Sequence, residues 1–306
     1  YRRNFTICYD RELRVAHWVA YPLHGCYTQP NVGRSDAWAY DPNTQSPTIA
    51  SSEQSSIVKS AFSNPSGVRG HQCPSADRYN TTATNAMTFY ATNIMPQNWD
   101  FNGGSWVKLE TKMRDWAPLV STRIRYDTLF VVTGTHFDGT LSTDRDGKKV
   151  GYPDKCWKVL LQQKSNQNKQ IWECGADELK AIGFIFPNSS VAKDMRLSAA
   201  ACTVEYIEEQ TGFKFFQNLD PDVADAVKKQ KNNVDMLHLG KLTVYNNRKA
   251  QSSSVKGVGS CEKNEAEGRN IGWDVEGIPD TGCCHVAADI LCIMRPDGVV
   301  PCKRRG

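Results

Sequence analysis

Residues 68–114 contain Val68-Arg69-Gly70-His71-Gln72-Cys73-Pro74, then Thr92-Asn93-Ile94-Met95-Pro96-Gln97. Asn102-Gly103-Gly104-Ser105-Trp106-Val107-Lys108-Leu109-Glu110 follows and, four positions on, Arg114. No other stretch gathers so many groups suited to attack on a phosphodiester. That chemistry needs a base to take a proton from water, a cation to offset charge on the phosphate, and a proton source for the leaving oxygen. A neutral imidazole such as His71 is a suitable base near neutral pH. Arg69 and Arg114 offer planar, permanently charged forks for phosphate oxygens. Mg2+ prefers oxygen ligands and keeps most of its waters, so one or two protein oxygens suffice. Trp106, Leu109, Met113 and Trp116 recur at helical spacing, with Gly103-Gly104-Ser105 as turn and N-cap and Pro118 as the stop. On that helix Glu110 and Arg114 lie i,i+4 and share a face. A strand or loop carrying His71, then a helix preceded by Asn102, brings base and metal ligand to opposite sides of one phosphate.

Working outward, residues 5–9 and 15–21 are apolar and aromatic around a polar 10–14 and read as a β-hairpin. Arg123–Thr133, Lys158–Gln162 and Ala181–Phe186 read as strands, residues 41–56 as a surface loop, and Thr203–Glu208 as the start of a short helix. No internal repeat of solenoid or propeller period is present. Beyond about residue 230 the chain turns polar and Cys-rich, and a boundary is placed there.

The 306 residues are 40% hydrophobic, with eight Trp, eleven Tyr and eleven Phe, which is ample for a buried core and excludes a uniformly disordered chain. No apolar run approaches the roughly 18 residues of a membrane helix. The net charge of +4 attracts a polyanion only weakly. Eleven cysteines without dense Cys-x-x-Cys pairs point to an oxidising compartment. Five of them, Cys261, Cys283, Cys284, Cys292 and Cys302, lie near the C-terminus, and the odd total leaves at least one unpaired within the chain. A start at Tyr1 without a leader reads as a mature or trimmed N-terminus. Asn4-Phe5-Thr6, Asn80-Thr81-Thr82 and Asn188-Ser189-Ser190 are formal glycosylation sequons.

Taken together, the three blocks of residues 68–110 resemble the DNA/RNA non-specific endonuclease family, the secreted ββα-metal (His-Me finger) nucleases. That family's signature runs Asp-Arg-Gly-His, Ser/Thr-Asn-x-x-Pro-Gln, Asn-x-x-x-Trp-x-x-Leu-Glu. Trp18-Val19-Ala20-Tyr21, Gly33-Arg34-Ser35-Asp36, Phe130–Gly134, Ala181–Asn188 and Glu209–Phe216 also resemble family segments, so the likeness spans roughly residues 5–230. It implies an α+β fold in which a mixed or antiparallel sheet with flanking helices carries the ββα-metal motif. Residues 1–230 are then the endonuclease domain; the Cys-rich extension 231–306 falls outside the resemblance and is of unknown role, either a disulfide-stapled piece packed on the core or a module for substrate, inhibitor or cell-surface binding.

By the same resemblance the protein is a metal-dependent endonuclease cutting DNA and RNA without regard to the sugar and leaving 5′-phosphates. The implied metal is Mg2+, with Mn2+ or another divalent cation able to substitute. His71 is the implied general base, Asn102 the direct metal ligand, and Glu110 a ligand through water. Asn93 orients the base region or the substrate, and Arg34, Arg69 and Arg114 contact phosphate. Location is secreted, extracellular or periplasmic. One departure stands out: Val68 replaces the family's leading Asp, which implies weaker metal affinity or slower turnover. It motivates a rival, a nucleic-acid-binding protein that kept the fold and lost activity; a phosphodiesterase for smaller substrates is a third possibility. Elsewhere the plainer readings apply. His17, His24, His136, His238 and His285 are surface or satisfied core residues. Lys228-Lys229-Gln230-Lys231 and Lys303-Arg304-Arg305 are solvated charge, and Asp144-Arg145-Asp146-Gly147 is a turn.

Overall fold

A computed structural model describes residues 4–42, 49–56, 61–117, 128–164, 169–232 and 234. In chain order the strands are β1 (Thr6–Asp10), β2 (Val15–Leu23), β3 (Val68–His71), β4 (Ile94–Gln97), β5 (Leu129–His136), β6 (Leu141–Thr143), β7 (Lys149–Gly151), β8 (Lys155–Gln163), β9 (Leu179–Pro187) and β10 (Ala201–Cys202). Six of them form one antiparallel sheet, ordered β1-β2-β5-β8-β9-β10, and β3-β4 and β6-β7 form separate ribbons. The helices that matter for the site are α1 (Thr82–Met87), α2 (Trp99–Phe101) and α3 (Val107–Trp116); α4 (Val204–Thr211) and α5 (Pro221–Lys228) follow.

The apolar runs of the central strands are continuous because the sheet is covered on both faces. Side chains alternate along each strand: Val131, Leu160, Ile182 and Phe184 join one core with Leu109, Met113 and Trp116 of α3. Phe130, Val132, Val159 and Leu161 join a second core with Val204 and Ile207 of α4 and Val227 of α5. The fold is thus α+β around an antiparallel sheet, as the sequence implied. α4 starts where Thr203 Oγ1 accepts the Tyr206 N–H, and it stops at Gly212, whose φ of 72° is the left-handed conformation that suits glycine.

The structure corrects several local expectations. Ser105 is not an N-cap: its hydroxyl donates to the Ala192 carbonyl, and the cap lies earlier, at Asn98, whose Oδ1 accepts the Phe101 N–H. From there α2 runs through a wide, π-wound turn, Asn102–Trp106, into α3, so Asn102 lies inside the helical run and not ahead of it. The strand expected at 123–133 begins at Leu129 and continues to His136, with 123–127 outside the described residues. In the expected surface loop, Asp41, Gln54, Ser55 and Ser56 are buried, because the Gln54 amide bonds both the N–H and the C=O of Asp41. Lys228 is not solvated; it is buried and paired with Glu208 at 3.1 Å. His17 and His136 bond Asp10 and Asp154, while His24 caps the turn at Gly25–Thr28. The tail from 235, with its five cysteines, His238, His285 and Lys303-Arg304-Arg305, lies outside the described residues, as does the boundary drawn near 230 in part. Cys73, Cys156, Cys174 and Cys202 are thiols outside any disulfide, while Cys26 is disulfide-bonded, so the cross-linking suggested by the cysteine count reaches only part of the described chain.

All three sequon asparagines are buried. Asn188 has the fullest set of partners: Nδ2 donates to the carbonyls of Pro96 and Pro153, and Oδ1 accepts the Asn98 N–H. It therefore ties β4 and the start of α2 to the main sheet. Among the described residues no helix is long and apolar enough to cross a membrane.

Candidate active site

His71 is the last residue of β3, paired with Ile94 of β4. The backbone just beyond it is fixed by Asn93. The Gln72 N–H donates to the Asn93 carbonyl and the Cys73 N–H to Asn93 Oδ1, both at 2.9 Å, while Asn93 Nδ2 donates to Cys73 O and Thr88 O. Asn93 is fully buried and has its side chain committed to the protein. Its bonds run to the backbone just after His71 and at Thr88.

The His71 ring lies against Trp38 and Phe89, with centroids 5.4 and 5.0 Å away, and its Nε2 is buried without a hydrogen-bond partner. The same two rings seat two arginines. The Arg69 guanidinium lies 3.7 Å from the Trp38 centroid and that of Arg34 lies 4.7 Å from Phe89, where it also pairs with Asp36 at 2.9 Å. Cations over aromatic faces are attracted by the ring quadrupole, so Trp38 and Phe89 orient all three functional groups. Burial above all, then the charges of Arg34 and Arg69, lowers the His71 pKa to about 3. The imidazole is therefore neutral in the free protein.

Asn102 is connected to this cluster through Gln97. Asn102 Nδ2 donates to Gln97 Oε1 at 2.6 Å, and Gln97 pairs with Val68 across the β3-β4 ribbon. Gly70 leaves the space for that contact, since a Cβ there would overlap Gln97 Oε1. The wide turn holding Asn102 is possible because Gly104 adopts φ −101°, ψ −115° and lies so close to the Lys193 carbonyl that a Cβ would overlap it. With Nδ2 engaged, Asn102 Oδ1 accepts no hydrogen bond from the described residues. A free amide oxygen on a fixed backbone suits a hard cation that retains most of its waters. Among the described residues no three His, Cys, Asp or Glu cluster as a closed metal cage would require.

Glu110 is further along, on α3, facing buried charge. Its pKa is raised to about 7, chiefly by burial, against the opposing pull of Lys158 and Arg114. Arg114 does not pair with Glu110; its Nη1 donates to Asp77 at 2.9 Å, and that fully buried carboxylate also accepts the Tyr21 hydroxyl. Lys158, fully buried on β8, donates to Thr133 Oγ1 at 2.6 Å and lies 4.4 Å from the Trp106 centroid. The structure thus gathers Arg34, Arg69, His71 and Asn93 tightly, joins Asn102 through Gln97, and sets Glu110 and Arg114 on an adjoining buried network. Sequence reasoning missed Trp38, Phe89, Asp77 and Lys158. Lys158 had a signal, a charge within the apolar run Cys156–Leu161. Trp38 had none.

Val68 opens β3, half-buried. Its side chain has no oxygen to offer a cation, and its strand partner is Gln97, the residue that holds Asn102.

The profile of the DNA/RNA non-specific endonuclease family matches residues 1–222. The chain is 28% identical over 229 residues to the mitochondrial nuclease EXOG of Xenopus laevis, across 72% of this chain but only 58% of that protein's length. It is 29% identical over 233 residues to a nuclease of Nostoc sp., covering 76% of this chain and 78% of the relative. To a nuclease of Serratia marcescens it is 25% identical over 229 residues, covering 74% and 78%. The crystal structure of an EndoG/EndoGI complex, at 20% identity and a TM-score of 0.54, covers 76% of this chain and 91% of the solved one, and shares the fold.

Proposed function

Since the chain belongs to the DNA/RNA non-specific endonuclease family, we propose that it hydrolyses internal phosphodiester bonds of DNA and RNA, with His71 taking the proton from the attacking water. The observation that carries this reading is an imidazole held neutral between two arginines on a shared aromatic seat. A phosphate docked on Arg34 and Arg69 offsets their charge, which lifts the His71 pKa from its depressed value and strengthens the base when substrate is present. Asn93 keeps β3 from shifting under the load. The two guanidinium groups take the non-bridging oxygens through charge-assisted bonds and counter the charge that grows on them.

Asn102 would hold a divalent cation directly, and Glu110 would reach it through water. Mg2+ there, or Mn2+ in its place, would supply Lewis-acid charge to offset the charge developing on the phosphate and the leaving group. Asp77 fixes Arg114 in line with Glu110 on α3 as a third phosphate contact. Because these groups address phosphate and not the 2′-hydroxyl, sugar indifference follows; the P–O3′ bond breaks, the 3′-oxygen takes a proton from a water, and the phosphate stays on the 5′ end. We place this activity outside the cell or in the periplasm, on the cysteine count alone; fractionation of the native source tests that placement.

The test is incubation with plasmid DNA and with RNA, with and without EDTA, beside His71→Ala. Metal-dependent loss of both polymers by the parent alone is expected, and equal cleavage by His71→Ala would overturn the mechanism. Val68 favours a second reading, a catalytically weakened nucleic-acid binder. Val68→Asp should then lower the Mg2+ concentration for half-maximal rate; an unchanged titration would remove that reading's only motive.

A further inference from the structure

The groups placed in the site above address a phosphate, a cation, the attacking water or the protein's own backbone, and none addresses a nucleobase. One side chain beside the site remains unexplained. Trp99 is 74% exposed, the most exposed large aromatic among the described residues. It opens α2, and the backbone around it is held from several sides. Asn98 Oδ1 accepts the Phe101 N–H, the Asn98 N–H donates to Asn188, and Asp100 pairs with Lys193 at 2.9 Å. The Asn102 N–H donates to the Asn98 carbonyl at 2.9 Å, so residues 98–102 make one helical turn. Trp99 and Asn102, three apart on that turn, are neighbours on its surface. Phe101, by contrast, turns inward against Trp106 and Phe186. The surface next to Asn102 is open, for a Cβ on Gly103 would meet nothing within 4 Å.

An indole left in water on a rigid backbone is a flat apolar surface with little entropy to lose when it is covered. The occupant must lie beside the phosphate held in the site next to Asn102 and present a flat π-face regardless of sequence. We propose that Trp99 is a stacking platform for an unpaired base of the substrate next to the phosphate being cleaved. This rests on the nuclease reading above and names what that reading leaves open, the element that grips the nucleotide beyond its phosphate. Stacking tolerates any base, since each has a π-face, so it adds grip without adding sequence preference. It also favours single-stranded or frayed ends, where a base is free to leave its neighbours.

The full-length chain in EDTA is titrated with a fluorescently labelled oligothymidylate, and separately with an abasic deoxyribose-phosphate oligomer of the same length. Trp99→Ala should bind oligothymidylate roughly tenfold more weakly than the parent, about 1.4 kcal/mol and within the range for base–aromatic stacking. Trp99→Phe should recover most of the loss. On the abasic oligomer parent and Trp99→Ala should bind alike. Tyr206→Ala, an exposed aromatic on α4 across the sheet, should match the parent on both. Equal binding of oligothymidylate by parent and Trp99→Ala overturns the proposal, and so does an equal loss on both oligomers, which would assign Trp99 to the backbone. Because this assay needs no turnover, it is read independently of Mg2+-dependent cleavage by the parent, whose absence would instead sink the nuclease reading.

Discussion

Behind the main sheet, α4 and α5 cover Phe213, Phe215, Phe216 and Val227 in a packed apolar layer. Glu208, the buried carboxylate there, accepts Lys228, Lys214 and the Phe215 N–H. In front, on the side of α3 and the β3-β4 ribbon, burial has been applied differently. Lys158 is enclosed with one short hydrogen bond, the Glu110 carboxyl is pushed up to about 7, and His71 Nε2 has no partner. Buried polar groups in folded proteins are normally satisfied. Indole N–H groups are left unpaired behind the sheet as well, on Trp18 and Trp157; what differs is that the buried carboxylate behind is paired, whereas the buried imidazole in front, a group able to move a proton, is not.

The largest expected effect tests the front. His71→Ala should lose about a thousandfold or more in kcat/KM, the usual scale for removing an acid–base group, with an unchanged melting temperature. An equal loss of both would mean His71 is merely core. Phe215→Ala tests the back, where deletion of a fully buried ring should cost about 3–5 kcal/mol in urea unfolding and leave kcat/KM per folded molecule intact. Gln97→Ala loosens Asn102 without touching it. A loss of roughly tenfold to a hundredfold in kcat/KM is expected from such misplacement, largest at low Mg2+. A loss insensitive to Mg2+ would break the link from Gln97 to Asn102.

Titration gives a smaller effect. His71 has an ordinary pKa of 6.5 and a folded one of about 3. Between those values only the unfolded chain binds the proton, so stability rises with pH across that window, by up to about 1.4 kcal/mol per pH unit. The contribution is complete above 6.5 and is lost as the pH falls towards 3. Urea unfolding of parent and His71→Gln at pH 7 and pH 5 should show the parent losing the more stability. The smallest effect again tests the back. Thr203→Ala removes the cap of α4 and should cost about 1 kcal/mol, visible in melting temperature alone.

What could be read from sequence followed the same division. The motif blocks singled out His71, Asn93 and Asn102, which the fold sets on the β3-β4 ribbon, just ahead of β4, and on the turn joined to it by Gln97. The apolar runs located β5, β8 and β9 because buried strands must be apolar. What could not be read was whatever depends on distant partners. Ser105 looked like a cap until Ala192 took its hydroxyl, and the shared helix face of Glu110 and Arg114 gave no sign that Asp77 holds the guanidinium. Trp38 and Phe89 carry no local pattern, yet they seat the His71 imidazole and both arginines. Nothing in a one-dimensional spacing reports a contact made across the fold.

Asn188 has a consequence for anyone who makes this protein. Both of its amide hydrogens are spent on the carbonyls of Pro96 and Pro153, and the same nitrogen is the one that an oligosaccharyltransferase would modify at Asn188-Ser189-Ser190. Glycan and clamp compete for one atom, and a sugar added during secretion would arrive before the clamp closes. Yeast or insect-cell secretion thus risks material whose β4 and α2 are poorly anchored, whereas a bacterial host, or an Asn-sparing Ser190→Ala change, keeps that nitrogen for the fold.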